Sequence, residues 1–504
     1  MTSQTMMSTL IRRGFGLGLA GQIQIAAIAG LIPLTLHGAE TQSANSKPNI
    51  VVILSDDMGY ADVPGFGAEK EIPMPNLDRL ARGGVRFTDA YVSGPICVPS
   101  RMGLMTGRHQ ARLGVYTNVY DGPAYRRFQQ ERLMPSFFKE AGYTTGMFGK
   151  WHLSGNVNIA LAPANDRPDA KGWDEIVVIP GGGSGYFAGN NLYHKGGKST
   201  PAPEYLTDHF GKLAADFVGR NKERPFFLYL AFNAPHAPLH AEDEDIATFG
   251  PLDGYDRARY VPALKVGDRQ PAMDRQVYAG MMRAMDRNIG RVLDALDAAG
   301  LATNTLVFFL NDNGGPTQQA RQEHSYNQAC NAPYRGYKFD CLEGGIRTPL
   351  FARWPAQLPA GRTFAGLTSS MDILPTALVA AGVPLPAEHP FDGVDLLPYL
   401  TGKQEGSPHP SLCWQIFFGN AVQGQVAIRR GNWKLHQFAP VTTGPKPEAW
   451  ALYDVAADPG ESHDLAAQHP EVVRELAAEW AAWKNTCLPL DTTTNSPSKT
   501  KKEQ

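Results

Sequence analysis

Cysteine is scarce in this chain, with five among 504 residues, too few to staple together a disulfide scaffold. Charge of one sign is scarce as well: 47 Lys and Arg stand against 49 Asp and Glu, a formal net charge of −2. Without a basic excess to neutralise a phosphate backbone, nucleic-acid binding is disfavoured. Gly (52) and Pro (39) are plentiful but follow no period, which excludes collagen-like and repeat architectures. After the first forty residues no apolar run is long enough to span a bilayer. What is present is 43% hydrophobic and 19% charged, a composition that buries a sizeable core and argues against disorder. The length allows two to four domains, or one large α/β core.

Residues 1–39 read as a separate object. Arg12-Arg13 precedes Gly14-Phe15 and a weakly apolar run to Leu36 that contains Gln22 and Gln24, and His37-Gly38-Ala39 supplies a small-residue end. This pattern predicts an export signal cleaved near Ala39. Arg-Arg-x-Phe resembles a twin-arginine signal; a general secretory signal and a membrane anchor are the competing readings. Under the export reading the mature protein is periplasmic or secreted, in an oxidising compartment, with no stable membrane anchor.

Further along, Asn49–Leu54, Phe226–Phe232 and Thr305–Leu310 are short runs rich in Val, Leu and Phe, typical of strands buried on both faces. Met273–Ala299 carries Val277, Met281, Met285, Ile289, Val292 and Leu296 at helical spacing, with the methionines read as core. Leu133–Ala141 reads as a helix closed by Gly142, and Tyr143–Phe148 as the next strand. The alternation predicts an α/β fold, a large mostly parallel sheet sandwiched by helices, over residues 46–405. Ligands of such sheets gather at the carboxyl ends of the strands. Cys413–Phe418, Val426–Arg430 and Trp433–Gln437, with the turn Gly431-Asn432 and the helix Glu471–Trp483, predict a small antiparallel sheet plus helix over 406–490. The polar tail 491–504 is expected to fray.

The residues that can carry chemistry stand at strand ends. Asn49–Leu54 runs into Ser55-Asp56-Asp57, and Thr305–Leu310 into Asn311-Asp312-Asn313-Gly314. Adjacent carboxylates repel, and a hard cation that takes oxygen ligands explains them; an Asx turn or a helix cap is the alternative for either one alone. Cys97-Val98-Pro99-Ser100-Arg101 should open a helix, with Pro99 in its first turn and Gly107 at its end. Cys97 at a helix N-terminus is then expected to have a lowered thiol pKa, and Arg101, one turn on, to hold an anionic group; a buried structural cysteine is the alternative.

Cys97-x-Pro99-Ser100-Arg101 followed by Thr106-Gly107-Arg108 resembles the signature of the type I sulfatases, in the alkaline-phosphatase-like superfamily. Further blocks follow in the family's order: Asp56-Asp57, Pro75–Leu80, Gly149-Lys150-Trp151-His152, Ala234-Pro235-His236, Asp312-Asn313-Gly314, the Lys338-x4-Glu343-Gly344-Gly345-x-Arg347 run, and Leu452-Tyr453-Asp454 with Asp458-Pro459 and Glu461. The resemblance spans roughly residues 48–470; Asn311 stands where many relatives carry Ser.

The resemblance implies that Cys97 is oxidised to formylglycine (3-oxoalanine) by a maturation enzyme, and that Asp56, Asp57, Asp312 and Asn313, with residue 97, hold calcium. The hydrated aldehyde would attack sulfur. Arg101, Lys150 and Lys338 would hold negative charge, His236 or Lys338 would protonate the leaving alcohol, and His152 would take a proton as sulfate departs. Substrate contacts are expected outside these blocks, from Tyr186 and His194 in the Gly-rich stretch 181–198, from His324 and Arg335 in 318–335, and from Trp414. Aromatic faces and polar forks suit a sugar ring. The expectation is therefore an exo-acting sulfatase of sulfated glycans, with galactose or N-acetylgalactosamine sulfates ahead of N-acetylglucosamine. A general arylsulfatase, a phosphatase or phosphonate monoester hydrolase on the same scaffold, and a non-catalytic glycan binder are the alternatives. The other four cysteines allow three pairings, of which Cys330–Cys341 with Cys413–Cys487 is favoured, against free thiols.

Overall fold

β1, Asn49–Ser55, is buried at every residue, and its alternate side chains feed two different cores. Ile50, Val52 and Leu54 face one side, with Phe227, Tyr229, Phe308 and Leu310 from neighbouring strands. Val51 and Ile53 face the other, with Leu228, Leu230, Val307 and Phe309. This is why the strand reads as a continuous apolar run: a two-residue period on a sheet covered on both sides makes every position an interior one. Each fully buried Leu or Phe contributes about 1.5–3 kcal/mol over leaving it exposed.

In this computed structural model residues 47–67, 71–118, 122–154, 167–187, 191–251, 271–317, 327–418, 423–440 and 450–490 are described. The segment read as an export signal, the tail from 491, and His324 lie outside them. Around β1 stand β4 (Thr144–Lys150), β5 (Glu175–Ile179), β8 (Phe226–Ala231) and β9 (Thr305–Asn311), all parallel, in the order β9-β1-β8-β4-β5. Beyond β9 come β10 (Leu350–Arg353), β2 (Val85–Phe87) and β11 (Arg362–Phe364); beyond β5 come β6 (Asn191–His194) and β7 (Ser199–Pro201). Antiparallel pairings of β10 with β9 and of β6 with β5 make the ten-stranded sheet mixed at its margins. A short pair, β3 (Ala90–Tyr91) and β12 (Thr368–Ser369), lies apart.

The helix Pro271–Ala298 presents Val277, Met281, Met285, Ile289 and Val292 to the second core, where they meet Phe210, Ala214 and Phe217 of the helix Leu206–Arg220. Cys97–Thr106 and Met134–Glu140 cover the other face through Met102, Met105, Phe137 and Phe138. The methionines are core, as their spacing predicts.

The C-terminal segment forms a four-stranded antiparallel sheet: β13 (Ser411–Phe418), β14 (Gln423–Arg430), β15 (Trp433–Pro440) and β16 (Ala451–Asp454). The helix Pro470–Lys484 packs on it through Leu476 and Trp480. The opposite surface, with Leu412, Trp414 and Ile416, packs on Tyr91, Val92 and Ile96 just ahead of Cys97. A buried ion network adds to this contact. Lys434 on β15 lies 2.9 Å from carboxylate oxygens of both Glu343 and Glu461, and Arg347 pairs with Glu343 at 2.9 Å. Glu343 of the Glu343-Gly-Gly-x-Arg347 block therefore ties Lys434 of the small sheet to this block, while Arg347 holds its other carboxylate oxygen.

Candidate active site

Four adjacent parallel strands, β9-β1-β8-β4, end in the polar residues singled out in the sequence. In register, Ser55 stands beside Asn311, and Ala231 stands between Leu54 and Gly149. The strand ends thus deliver Asp312-Asn313, Asp56-Asp57, the His236 loop and Lys150 to one place. Two close approaches allow it. A Cβ on Gly314 would fall 1.8 Å from the Gly344 carbonyl oxygen, and one on Gly149, at φ +118°, would fall 1.8 Å from that of Ala231. Asp57 and His152 have φ of 64° and 53°, conformations that cost side-chain-bearing residues energy and cluster at functional sites.

Cys97 begins the helix Cys97–Thr106, which Gly107 ends in the left-handed conformation, φ 64°. Its Sγ lies 3.7 Å from Asp56 Oδ1 and 3.6 Å from Lys150 Nζ. Burial pushes the thiol up to about 12, against the pull of Lys150 and Lys338. This corrects the expectation of a lowered pKa: the helix end is outweighed by desolvation, and the thiol stays protonated at neutral pH. Arg101 forks onto Asp312 Oδ2 at 3.0 and 2.8 Å and reaches Asp56 at 3.6 Å. Lys150 Nζ is 2.5 Å from Asp56 Oδ2, and Lys338 Nζ is 2.7 Å from Asp57 Oδ2. His236 Nδ1 donates to the Ala237 carbonyl at 2.5 Å, and its Nε2 lies 3.3 Å from both Lys338 Nζ and Asp57 Oδ2. His152 is pushed well below the ordinary histidine range by burial, then by Lys150 and Arg101; its Nδ1 is buried with no partner among the described residues.

Among the described residues, Asp56, Asp57, Cys97 and His236 offer ligand atoms all within 4.8 Å of one another. Asn313 Nδ2 donates to Asp57 Oδ1 at 2.7 Å while its own Oδ1 is buried and has no partner among the described residues. Burial and the Asp56 charge push Asp312 upward, although Arg101 opposes them. An oxygen-rich set with an orphaned amide oxygen and crowded carboxylates fits a hard cation.

Other expected residues fall elsewhere. Trp414 is 1% exposed, and its indole N–H donates to the Val92 carbonyl at 2.8 Å; it is a core residue of the sheet-to-sheet contact, not a substrate contact. Tyr186 is fully buried, its hydroxyl on the carbonyls of Asn233 and His236; it holds the His236 loop from behind and cannot reach substrate. His194 sits on the marginal hairpin, 2.6 Å from Thr200 Oγ1, opposite Val177 and short of the strand end. Arg335 is exposed, with its guanidinium over the Tyr453 ring at 5.5 Å. All five cysteines are free, which corrects both favoured disulfides; Cys341 is buried, with Sγ 3.8 Å from the Gln425 carbonyl and its amide on Gln425 Oε1.

Two participants were not among the expected site residues. Asn327 donates to the carbonyls of Asp57 and Pro235, at 2.8 and 3.0 Å, tying the β1 end to the His236 loop. The Gly181–Gly183 run lies over both histidines: a Cβ on Gly182 would fall 2.5 Å from the His152 ring and one on Gly183 3.5 Å from that of His236. The Gly-rich texture of 181–198 was the available signal for the second; a lone Asn offers none for the first.

A lysine–histidine pair, an arginine fork and a buried cysteine around a candidate cation site form a centre for cleaving a stable anionic ester. The sulfatase family model matches residues 48–383, and an N-sulphoglucosamine sulphohydrolase C-terminal model matches 338–485. The chain belongs to the sulfatase family and is a sulfuric ester hydrolase. It is 32% identical to the N-acetylgalactosamine-6-sulfatase of Canis lupus familiaris over 82% of this chain and 76% of that protein. It is 31% identical to human arylsulfatase A, over 85% and 86% of the two chains. Among solved structures, Ps i-CgsB in complex with k-i-k-neocarrahexaose has a TM-score of 0.74 at 31% identity, covering 88% of this chain and 94% of that one. The phosphonate monoester hydrolase of Agrobacterium radiobacter, with a TM-score of 0.63 at 21% identity over 88% and 96% of the two chains, shares the fold.

Proposed function

We propose that this sulfatase is exported and removes sulfate, as an exo-acting enzyme, from glycan sugars, galactose or N-acetylgalactosamine sulfates first. Residue 97 would act as formylglycine, installed by a maturation enzyme, beside a calcium ion. The observation that carries the substrate class is the likeness, above 30% identity, to a named N-acetylgalactosamine-6-sulfatase and to a structure holding a neocarrahexaose. The twin-arginine-like pattern Arg12-Arg13-x-Phe15 supports export; replacing both arginines with lysine should then retain the precursor in the cytoplasm.

When present, calcium supplies a Lewis-acid clamp for a sulfate oxygen, and formylglycine a hydrated aldehyde as nucleophile. Asp56, Asp57, Asp312 and Asn313 would hold the ion. Arg101 fixes the Asp312 carboxylate, and Lys150, 3.6 Å from Cys97 Sγ, would neutralise negative charge at that position. Lys338 and His236, 3.3 Å apart, form a proton-donating pair for the leaving alcohol. His152, held neutral by burial and the surrounding cations, can accept a proton. The test is kcat/KM on an aryl sulfate, an aryl phosphate and a panel of monosulfated sugars, with peptide mass spectrometry of residue 97. The reading stands if sugar sulfates lead and residue 97 carries the aldehyde. An aryl sulfate ahead of every sugar by tenfold or more replaces it with a general arylsulfatase, and a leading phosphate ester replaces the reaction.

A further inference from the structure

The connection between β5 and β6 touches both histidines of the site. The His152 amide donates to the Pro180 carbonyl at 3.2 Å, and Gly182 lies so close to the His152 ring that a Cβ there would fall 2.5 Å from Cε1 and Nε2. Gly183 faces the His236 ring. The Tyr186 hydroxyl donates to the His236 carbonyl at 2.8 Å and is shared with the carbonyl of Asn233, which also accepts the His236 amide at 2.9 Å. Tyr186 is itself fixed. Its amide donates to His240 Nδ1 at 3.3 Å, its carbonyl accepts the Leu206 amide at 2.8 Å, and its ring stacks on Tyr205 with centroids 5.8 Å apart. The helix Leu206–Arg220 thus carries a rigid post whose tip closes the His236 turn.

We infer that residues 180–186 form a positioning strap for both histidines, with Tyr186 as the positioning residue that sets His236 against the leaving oxygen and Gly182 as the flat surface that seats His152. The inference rests on the proposed proton-donor role of the His236–Lys338 pair. A phenolate leaves without much help, whereas a sugar alkoxide needs a proton, so a misplaced donor penalises sugar sulfates selectively.

The experiment compares matured, metal-loaded wild type, Tyr186→Phe, His236→Ala and Gly182→Ala on 4-nitrophenyl sulfate and on a monosulfated galactose-type sugar. Tyr186→Phe should lose about tenfold in kcat on the sugar sulfate with KM within about twofold, and less than about threefold on the aryl ester. His236→Ala should show the same selectivity more strongly. Gly182→Ala, which pushes a methyl into the His152 ring, should lower kcat on both esters alike, because His152 acts after the alcohol has left. Equal losses on both esters for Tyr186→Phe, or a loss carried by KM, overturn the strap while a selective His236→Ala leaves the donor role standing. If His236→Ala is itself unselective, the donor role falls and the inference falls with it. If Tyr186→Phe does not fold, Gly182→Ala decides: an unchanged kcat overturns the strap.

Discussion

Replacing Lys434 with Met should unfasten the small sheet from the large one. Lys434, Glu343 and Glu461 are all buried, and the ammonium lies 2.9 Å from an oxygen of each carboxylate. At an effective dielectric near 20 each contact carries about 6 kcal/mol of Coulomb attraction, most of it offset by taking the ions out of water. Removing only the cation leaves two carboxylates facing one another, since Glu461 also accepts the Glu343 amide at 2.7 Å. Glu343 keeps Arg347 at 2.9 Å and the Tyr91 hydroxyl at 2.6 Å, so the penalty falls on Glu461. The expected loss is about 3–5 kcal/mol. Burial and the Glu343 charge already hold the Glu461 carboxyl above its ordinary range with Lys434 in place, so in the variant it should take up a proton in the folded state. An acid whose folded pKa is raised loses stability as pH rises, so the deficit should be larger at pH 8 than at pH 5. Urea unfolding followed by tryptophan fluorescence measures it, with Trp433 beside Lys434 and Trp480 in the adjacent core as reporters. Lys434→Met/Glu461→Gln should recover about 1–2 kcal/mol. A deficit below about 1 kcal/mol, or one independent of pH, would refute the reasoning.

Chelation should lower both melting temperature and activity, because an ion that binds only the folded state stabilises by about 2.7 kcal/mol at a hundred times its Kd; an unmoved melting temperature would remove the cation from this site. Trp414→Ala should cost about 3–5 kcal/mol in denaturant unfolding while Trp414→Phe leaves KM within about twofold, and a large rise in KM would return Trp414 to the substrate. Gly149→Ala should destabilise by more than about 2 kcal/mol, since its Cβ meets backbone rather than a movable side chain; a wild-type unfolding midpoint would show that the strands can separate there. His409, 2.7 Å from Asp372, is held above the ordinary histidine range against its burial. Its stabilising contribution is therefore full below about pH 6.5 and fades as pH rises through the folded pKa, so the stability gap between wild type and His409→Gln should narrow from pH 6 to pH 9.

The sequence by itself determined the class of fold and the centre of the site. Asn49–Leu54 reads as a strand buried on both sides, and Asp56-Asp57 and Asp312-Asn313 directly after such strands are expected at carboxyl ends of a parallel sheet. Those are local facts, carried by periodicity and by order along the chain. The order of strands was not legible: β9-β1-β8-β4 brings together residues as far apart as Asp56 and Asp312, and pairing across that distance is a property of the packed sheet. The same holds for burial. Trp414 and Tyr186 have aromatic rings with a polar end, which a sugar site and a protein core use equally well; only the second sheet docking on Val92, and the post standing behind His236, assigned them to the interior. The Cys97 thiol makes the point in energy. A helix N-terminus alone lowers a thiol pKa, whereas full burial raises it by more, and burial is decided by the tertiary structure.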